Sequence, residues 1–292
     1  MVALSVIVPV YGQWPLVPRL LEALAQQSLA ESAFEVLLVN NLCPNYVEPA
    51  SLPANARVLE CATPGSYAAR NRGVAEATGQ WLVFTDADCQ PEPQWLETLY
   101  QAIQSYEARP DRTGPPVLAG AIAMAAGDHP NPFEVYDLLR GIPQERYVQQ
   151  GYAVTANLCV RRDVAQRQPF DESRYSGGDA AFTRALVQLG YPLRFVPKAV
   201  VKHPARQSWL AICTKVRRIK GGQLTAGTAR QRWLWGVRTL LPPVRALWIY
   251  ASKTPFPWRF RLVASVLELG LWWVGILELL RLVALRKTPE RS

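Results

Sequence analysis

Acidic residues are scarce at one end of this 292-residue chain. Residues 201–292 hold three Asp and Glu against 17 Lys and Arg, whereas residues 1–200 hold 20 against 15. The formal charge of +9 therefore comes from the last third, which offers a surface for an anionic partner. No Cys-x-x-C pair occurs among Cys43, Cys61, Cys89, Cys159 and Cys213, and their number is odd. That pattern fits thiols in a reducing cytosol rather than a disulfide framework or a zinc site. No uncharged run reaches the roughly 20 residues that span a bilayer. The best candidate, Leu262 to Leu285, is interrupted by Glu268, Glu278 and Arg281. Val2 to Val10 is apolar, but no positive stretch precedes it and no small-residue cleavage site follows, so it reads as a first strand rather than a signal peptide. Internal repeats and low-complexity tracts are missing as well.

What is present is an alternation of strands and helices. Leu4 to Val10, Phe34 to Asn40, Ala56 to Cys61 and Trp81 to Thr85 read as strands, with Val117 to Met124 as a further one. Leu16, Val17, Leu20, Leu21 and Leu24 mark one face of a helix, and helical spacing recurs over Tyr67–Ala77, Trp95–Tyr106 and Asp179–Leu189. This alternation predicts an α/β fold with a doubly wound, mostly parallel sheet that binds ligands beyond the carboxyl ends of its strands. Arg109 to Pro116 reads as a loop, Asp128 to Gly151 is hard to read, and Leu193–Val196 and Ala199–Val201 read as two short apolar pieces.

The run Gly79-Gln-Trp-Leu-Val-Phe-Thr-Asp-Ala-Asp-Cys89 ends a buried strand in two aspartates one residue apart. If the extended conformation persists past the strand, Asp86 and Asp88 project to one side. Two carboxylates there form a hard-oxygen site for Mg²⁺ or Mn²⁺, and such cations hold phosphate oxygens. A solvated turn is the bland alternative for an isolated Asp-x-Asp.

In order, the polar residues at strand ends are Pro9-Val10-Tyr11, Asn40-Asn41, Tyr67-Ala68-Ala69-Arg70-Asn71-Arg72-Gly73, Asp86-Ala87-Asp88, Asn157, Ser176-Gly177-Gly178-Asp179 and Lys202-His203-Pro204-Ala205-Arg206. Over residues 3 to 222 this series resembles glycosyltransferase family 2, whose members share the nucleotide-sugar-binding GT-A fold. The resemblance implies that Pro9, Tyr11 and Asn40 hold base and ribose, that Arg70 meets phosphate or ties down the Asp-x-Asp loop, and that Asp86 contacts ribose or a water-linked metal. It implies Asp88 as metal ligand, His203 as a further ligand or a structural histidine, and Asn157 as a contact to a sugar or a turn residue. Asp179 would be the base that accepts the acceptor hydroxyl's proton, or a helix N-cap, or both. Arg218, in Lys215-Val-Arg-Arg218, would bring a cation to the diphosphate or form part of a membrane-facing basic helix. Two departures stand out: Asn40-Asn41 replaces a common Asp-Asp pair, and Gly178-Asp179 replaces Glu-Asp. Gln-x-x-Arg-Trp of processive synthases is absent, which argues for one sugar per encounter.

Seven of ten tryptophans lie in the last third, among Leu, Val and basic residues. Such a surface meets anionic lipid headgroups or nucleic acid, and the aliphatic runs favour lipid. Leu262–Leu285 reads as an interfacial amphipathic helix with Arg261, Glu268 and Arg286 close together, or as one helix packed on Trp233–Tyr250. The expected organisation is a catalytic domain over residues 1–205 and a basic, helical, membrane-associated region over 206–292. The expected enzyme is inverting and metal-dependent. It moves one sugar from a UDP- or GDP-sugar to a lipid or lipid-linked glycan at the cytoplasmic face of the cell membrane, as a peripheral or monotopic protein with no nucleic-acid partner. A nucleotidyltransferase and a catalytically silent nucleotide-binding scaffold are the alternatives.

Overall fold

The computed structural model describes residues 2–44, 46, 49, 51–110, 114–252 and 256–289. Part of the 109–116 loop expectation, residues 111–113, lies outside them. Two compact units form: Met1–Ala123 with Ile142–Glu172 and Gly178–His203, and Met124–Gly141 with Ser173–Gly177 and Pro204–Ser292.

The first unit is built on strands β1 (Leu4–Val10), β2 (Phe34–Asn40), β3 (Ala56–Glu60), β4 (Trp81–Phe84), β5 (Gln90–Pro91), β6 (Val117–Ala125), β7 (Leu158–Arg161) and β8 (Leu193–Pro204). Their hydrogen-bonded order is β3-β2-β1-β4-β7-β6-β8-β5. The half from β3 to β4 is parallel, as the alternation of strand and helix requires. Beyond it β7 runs antiparallel to both β4 and β6, and β5 antiparallel to β8. Apolar runs bury both faces of this sheet. Val6, Val8 and Val10 of β1 pack on one side with Leu20, Leu24, Trp95 and Leu99, while Ile7 lies on the other with Leu37, Tyr67, Val74 and Phe182. The two sides are the period-2 alternation of a strand covered twice.

Helices α1 (Val17–Ala25) and α3 (Trp95–Glu107) supply the first side, and α2 (Ser66–Glu76), α6 (Arg162–Arg167) and α7 (Gly178–Gln188) the second. Helix α4 (Pro132–Arg140) belongs to the second unit and α5 (Gln144–Gln149) to the first. Both lie in the segment that could not be read, although Asn131 begins α4 with a complete capping box closed by Glu134. Central β7 was also unreadable. It has only four residues, too few for a period. Leu193–Val196 and Ala199–Val201 are not two pieces but one strand, β8.

The second unit holds α4, α8 (Trp209–Thr225), α9 (Ala229–Leu240), α10 (Val244–Ser252) and α11 (Trp258–Val283). Its core joins Tyr136, Ile212, Cys213, Tyr250, Ala264 and Leu271. Trp233–Tyr250 is two helices, not one, because Pro242-Pro243 cannot continue α9. Arg286 lies beyond the end of α11 with positive φ and so is not on the helical face with Arg261 and Glu268.

Asn157 links strands from the middle of the sheet. Its amide nitrogen donates to the carbonyls of Ala121 (2.8 Å) and Ala199 (2.9 Å), and its oxygen accepts from the Trp95 indole (2.9 Å). The residue is fully buried. Asn157→Ala is therefore expected to lower unfolding free energy by about 3 kcal/mol, since three buried partners lose their bonds. Urea denaturation measures it, and a variant as stable as the parent contradicts the assignment.

Candidate active site

The two aspartates leave the sheet in a turn. β4 ends at Phe84, and the carbonyl of Asp86 accepts from the Cys89 amide at 3.0 Å. The expected continuation of extended chain past Thr85 is therefore replaced by a tight turn, which still gathers both carboxylates. β5 follows at once. Its two residues pair with Val201 and Lys202, Glu92 N–H donates to the Val200 carbonyl, and Lys202 bridges to Glu92 at 2.7 Å. This clamp fixes the register of β8 so that buried His203 comes beside Asp88, Nε2 to Oδ1 4.0 Å.

Ligand atoms of Asp86, Asp88, Cys89 and His203 all lie within 4.8 Å of one another. Burial raises the Cys89 thiol well above its ordinary value, and the charges of Asp86 and Asp88 raise it further, so it stays protonated. Two carboxylates and an imidazole remain, a donor set that fits Mg²⁺ or Mn²⁺ better than a soft metal. Gln13 also reaches this group, its amide donating to Asp88 Oδ2 at 3.4 Å.

Helix α2 enters the site from the second side of the sheet. It approaches β1 closely at Gly73, where a Cβ would strike Ile7. Arg70, buried to 4% exposure, pairs with Asp86 Oδ1 at 2.7 Å, and its Nε is a buried donor without a partner. One turn earlier, the Tyr67 hydroxyl donates to Asp179 and accepts from the Gly178 amide at 2.9 Å. Burial and the Asp179 charge push the Tyr67 phenol far up, so it remains a neutral donor. Arg70 lies 5.8 Å from the Tyr67 ring centroid. Asp179 Oδ2 also accepts from Thr155, 3.4 Å from the amide and 3.3 Å from the hydroxyl. Asp179 is inside the first turn of α7 rather than at its N-cap, because the helix already begins at Gly178. Gly178 has a steric cause: a Cβ would lie 2.5 Å from Tyr67 Cζ, so the tyrosine occupies the place of an acidic side chain there.

The remaining predicted residues divide. Pro9 is buried in β1. Ile7 accepts from Thr85 N–H, so Pro9, two residues on, faces the same side, where β4 has ended and no ladder donor is required. Tyr11 is half exposed in the following turn. Asn40 is buried, donating to both carboxylate oxygens of Glu60 (3.1 and 3.0 Å) and accepting from the Trp14 indole at 3.1 Å. Asn41 donates to the Cys61 and Thr63 carbonyls and accepts from Gly65 N–H, a set no aspartate can complete. Asn157 is placed in the scaffold, with its amide committed to the strands. Arg218 lies on α8 in the second unit. Neighbouring Lys215 pairs there with Asp137 at 3.3 Å beside Arg206, and burial together with Arg206 lowers its pKa to about 8.

Tyr67 stands in the series of strand-end residues without a role assigned to it, and Glu60, which Asn40 holds, is not in that series. Glu60 closes β3 and presents an exposed carboxylate there, a position at a carboxyl end of the parallel half that could have marked it.

The family model for glycosyl transferase family 2 matches residues 5–109, the stretch from β1 through the Asp86–Asp88 turn to α3. Glycosyltransferase AglE of Haloferax volcanii is 30% identical over 261 residues, covering 87% of this chain and 82% of its own. The pre-mycofactocin glycosyltransferase of Mycobacterium tuberculosis is 30% identical over 162 residues, half of this chain but 32% of its own length. Among solved structures, TarS 1-349 of S. aureus superposes with a TM-score of 0.51 at 18% identity, over 97% of this chain and 82% of that one. The mannosyltransferase PcManGT of Pyrobaculum calidifontis, in complex with GDP-Man and Mn²⁺, does so with a TM-score of 0.50 at 18% identity, over 98% and 76%. These likenesses show the same fold, the GT-A arrangement of a parallel half-sheet ending in an Asp-x-Asp turn. Identity sustained along most of AglE, on top of the matched strands that carry Asp86 and Asp88, establishes that the chain belongs to glycosyltransferase family 2.

Proposed function

We propose that this glycosyltransferase moves one sugar, with inversion and with a divalent cation, from a nucleoside-diphosphate sugar to a hydroxyl of a lipid or lipid-linked glycan at the cytoplasmic membrane face. The observation that supports this best is the reach of α2, whose Arg70 holds Asp86 and whose Tyr67 holds Asp179. One rigid element thus aims both acidic centres. Residues 1–205 carry the chemistry in this reading, and 206–292 form the membrane-associated region.

Asp88 and His203 would hold the cation, Mg²⁺ or Mn²⁺, which when bound would supply positive charge for the diphosphate leaving group. Asp86, held by Arg70, would contact ribose or a water-linked metal, and the unused Arg70 Nε is a donor for a phosphate oxygen. Base and ribose lie against Pro9, Tyr11 and the Asn40–Glu60 pair, in which Glu60 supplies the carboxylate that Asn40 lacks. Asp179 accepts the proton of the acceptor hydroxyl as that oxygen bonds to the anomeric carbon. The bond to the diphosphate breaks at the same time, carrying its electron pair to the nucleotide. Tyr67 and Thr155 hold the carboxylate in place for this step without taking the proton. PcManGT, solved with GDP-Man and Mn²⁺, and TarS, solved with UDP-GlcNAc, bind donors of this class on the same fold.

A panel of UDP- and GDP-sugars with Mn²⁺, assayed for slow hydrolysis, identifies the donor. With that donor and a lipid extract as acceptor source, Asp179→Asn is expected to lower transfer about 10²–10⁴-fold, the usual contribution of a general base. Nucleotide affinity should stay within about threefold. Transfer near the parent rate would falsify the base assignment. Asp88→Ala is expected to weaken Mn²⁺-linked binding of UDP or GDP by more than about tenfold in calorimetry, since a ligand is lost from the cation. Unchanged metal-linked binding puts the cation elsewhere. Glu60→Gln should weaken the same nucleotide roughly fivefold to tenfold without altering the metal requirement, as one charge-assisted bond is lost. Equal affinity removes Glu60 from the nucleoside pocket.

A further inference from the structure

Helix α11 is apolar on its outside as well as in its core contacts, and its two acidic residues face the protein. From Leu262 to Leu280 its exposed residues are Leu262, Val266, Leu269, Trp273, Leu277 and Leu280, 41–63% exposed, and no other residue in that span is exposed. Their spacing of four, three, four, four and three places them within an arc of about 80° along roughly 27 Å of helix. The helix's charges lie elsewhere. Glu268 accepts from the hydroxyls of Tyr136 (2.8 Å) and Tyr250 (3.0 Å), and buried Glu278 holds Arg281 through two bonds of 2.7 Å. A helix in water presents the opposite pattern.

The exposed charge of the described residues 204–289 is of one sign. Arg245, Arg259, Arg286 and Lys287 are exposed, as are Trp248 and Trp258, and among the described residues from 204 to 289 no exposed residue is acidic. We infer that the Leu262–Leu280 face of α11 docks in the plane of an anionic bilayer leaflet, with the apolar stripe among acyl chains and the arginines at the headgroups. A second copy of this chain would bring an equally cationic surface to the same face, so charge complementarity selects anionic lipid over self-association.

The helix is long enough to cross a bilayer, with 26 residues and a mean hydropathy of 1.7 in its most apolar window. It lies in the plane because its other face is occupied. Tyr136 of α4 and Tyr250 of α10 bond to Glu268, Trp272 donates to the Thr239 carbonyl of α9, and Gly270 backs onto the Trp209 ring of α8. Crossing would carry these helices, with the Asp137, Arg206 and Lys215 ion pairs, into hydrocarbon.

The test is flotation of the full chain with vesicles of phosphatidylcholine containing 30% phosphatidylglycerol. The chain should float with these vesicles and bind pure phosphatidylcholine at least about tenfold more weakly. It should come off in alkaline carbonate, as an in-plane helix does and a spanning one does not. Leu269→Glu with Leu277→Glu should lower binding more than about tenfold, with the melting temperature and Mn²⁺-linked binding of UDP or GDP unchanged. The nucleotide readout separates failure of the docking face from failure of the transfer chemistry. Three results overturn the inference: parent protein that stays with the buffer, protein retained through carbonate, or a double variant that turns a dimer into a monomer with vesicle binding intact. Arg245→Gln with Arg259→Gln should reduce the preference for anionic vesicles several-fold, and an unchanged preference would show that these arginines do not face headgroups.

Discussion

The ion pair between Arg70 and Asp86 is the contact on which the site depends. Arg70 is nearly excluded from water, so its charge is tolerated only because Asp86 accepts from it at 2.7 Å. Removing Asp86 would leave the Arg70 charge buried and uncompensated, a loss that typically costs about 3–5 kcal/mol, whereas Asp86 itself keeps contact with water. The pair also settles a direction. It turns Asp86 toward α2 and leaves Asp88 to face His203 and Gln13. One turn earlier on the same helix, Tyr67 spends its hydroxyl on the α7 end, donating to Asp179 and accepting from Gly178. A short helix thus carries the spacing between the two acidic centres.

The two departures from the family pattern find physical reasons in this arrangement. Gly178 is small because the Tyr67 ring occupies the space beside it, so the lost acidic neighbour is exchanged for a fixed phenol. Asn40 sits where a carboxylate would face Glu60, and an amide converts that repulsion into two hydrogen bonds. Asn41 ties three backbone groups of the loop that leads into α2. Both asparagines therefore strengthen the wall that positions Ser66 to Glu76.

The second unit obeys a different rule. Its core is small, and polar contacts among Tyr136, Tyr250, Glu268 and Asp137 do much of the orienting inside it. Burial and the Glu268 charge hold both phenols protonated, so they remain donors to that carboxylate at any ordinary pH. With Glu268 and Glu278 turned to protein partners, α11 carries large apolar residues on its exposed face as well as on the face it buries.

Much of the first unit was legible in the residues themselves. β1 and β2 are buried on both faces and so are written as mostly apolar runs, broken by Ser5 in β1 and by Glu35 and Asn40 in β2, and α1 and α3 show the helical period because each covers one face of the sheet. That Asp86 and Asp88 gather beyond β4 follows from the run that carries them, and Asp179 enters through the series that resembles the family. Tertiary structure decided the rest. β5 and β7 are too short to carry a period, yet β5 sets the register that brings His203, 115 residues later, to Asp88. Asn157 has the polarity of a site residue, but three long-range hydrogen bonds place it in the scaffold. Whether a charge on α11 faces water or protein depends on Tyr136 and Tyr250, which come from other helices. A sequence determines what each segment can bury; which partner meets each polar group depends on pairings between distant segments, and those exist only once the chain has folded.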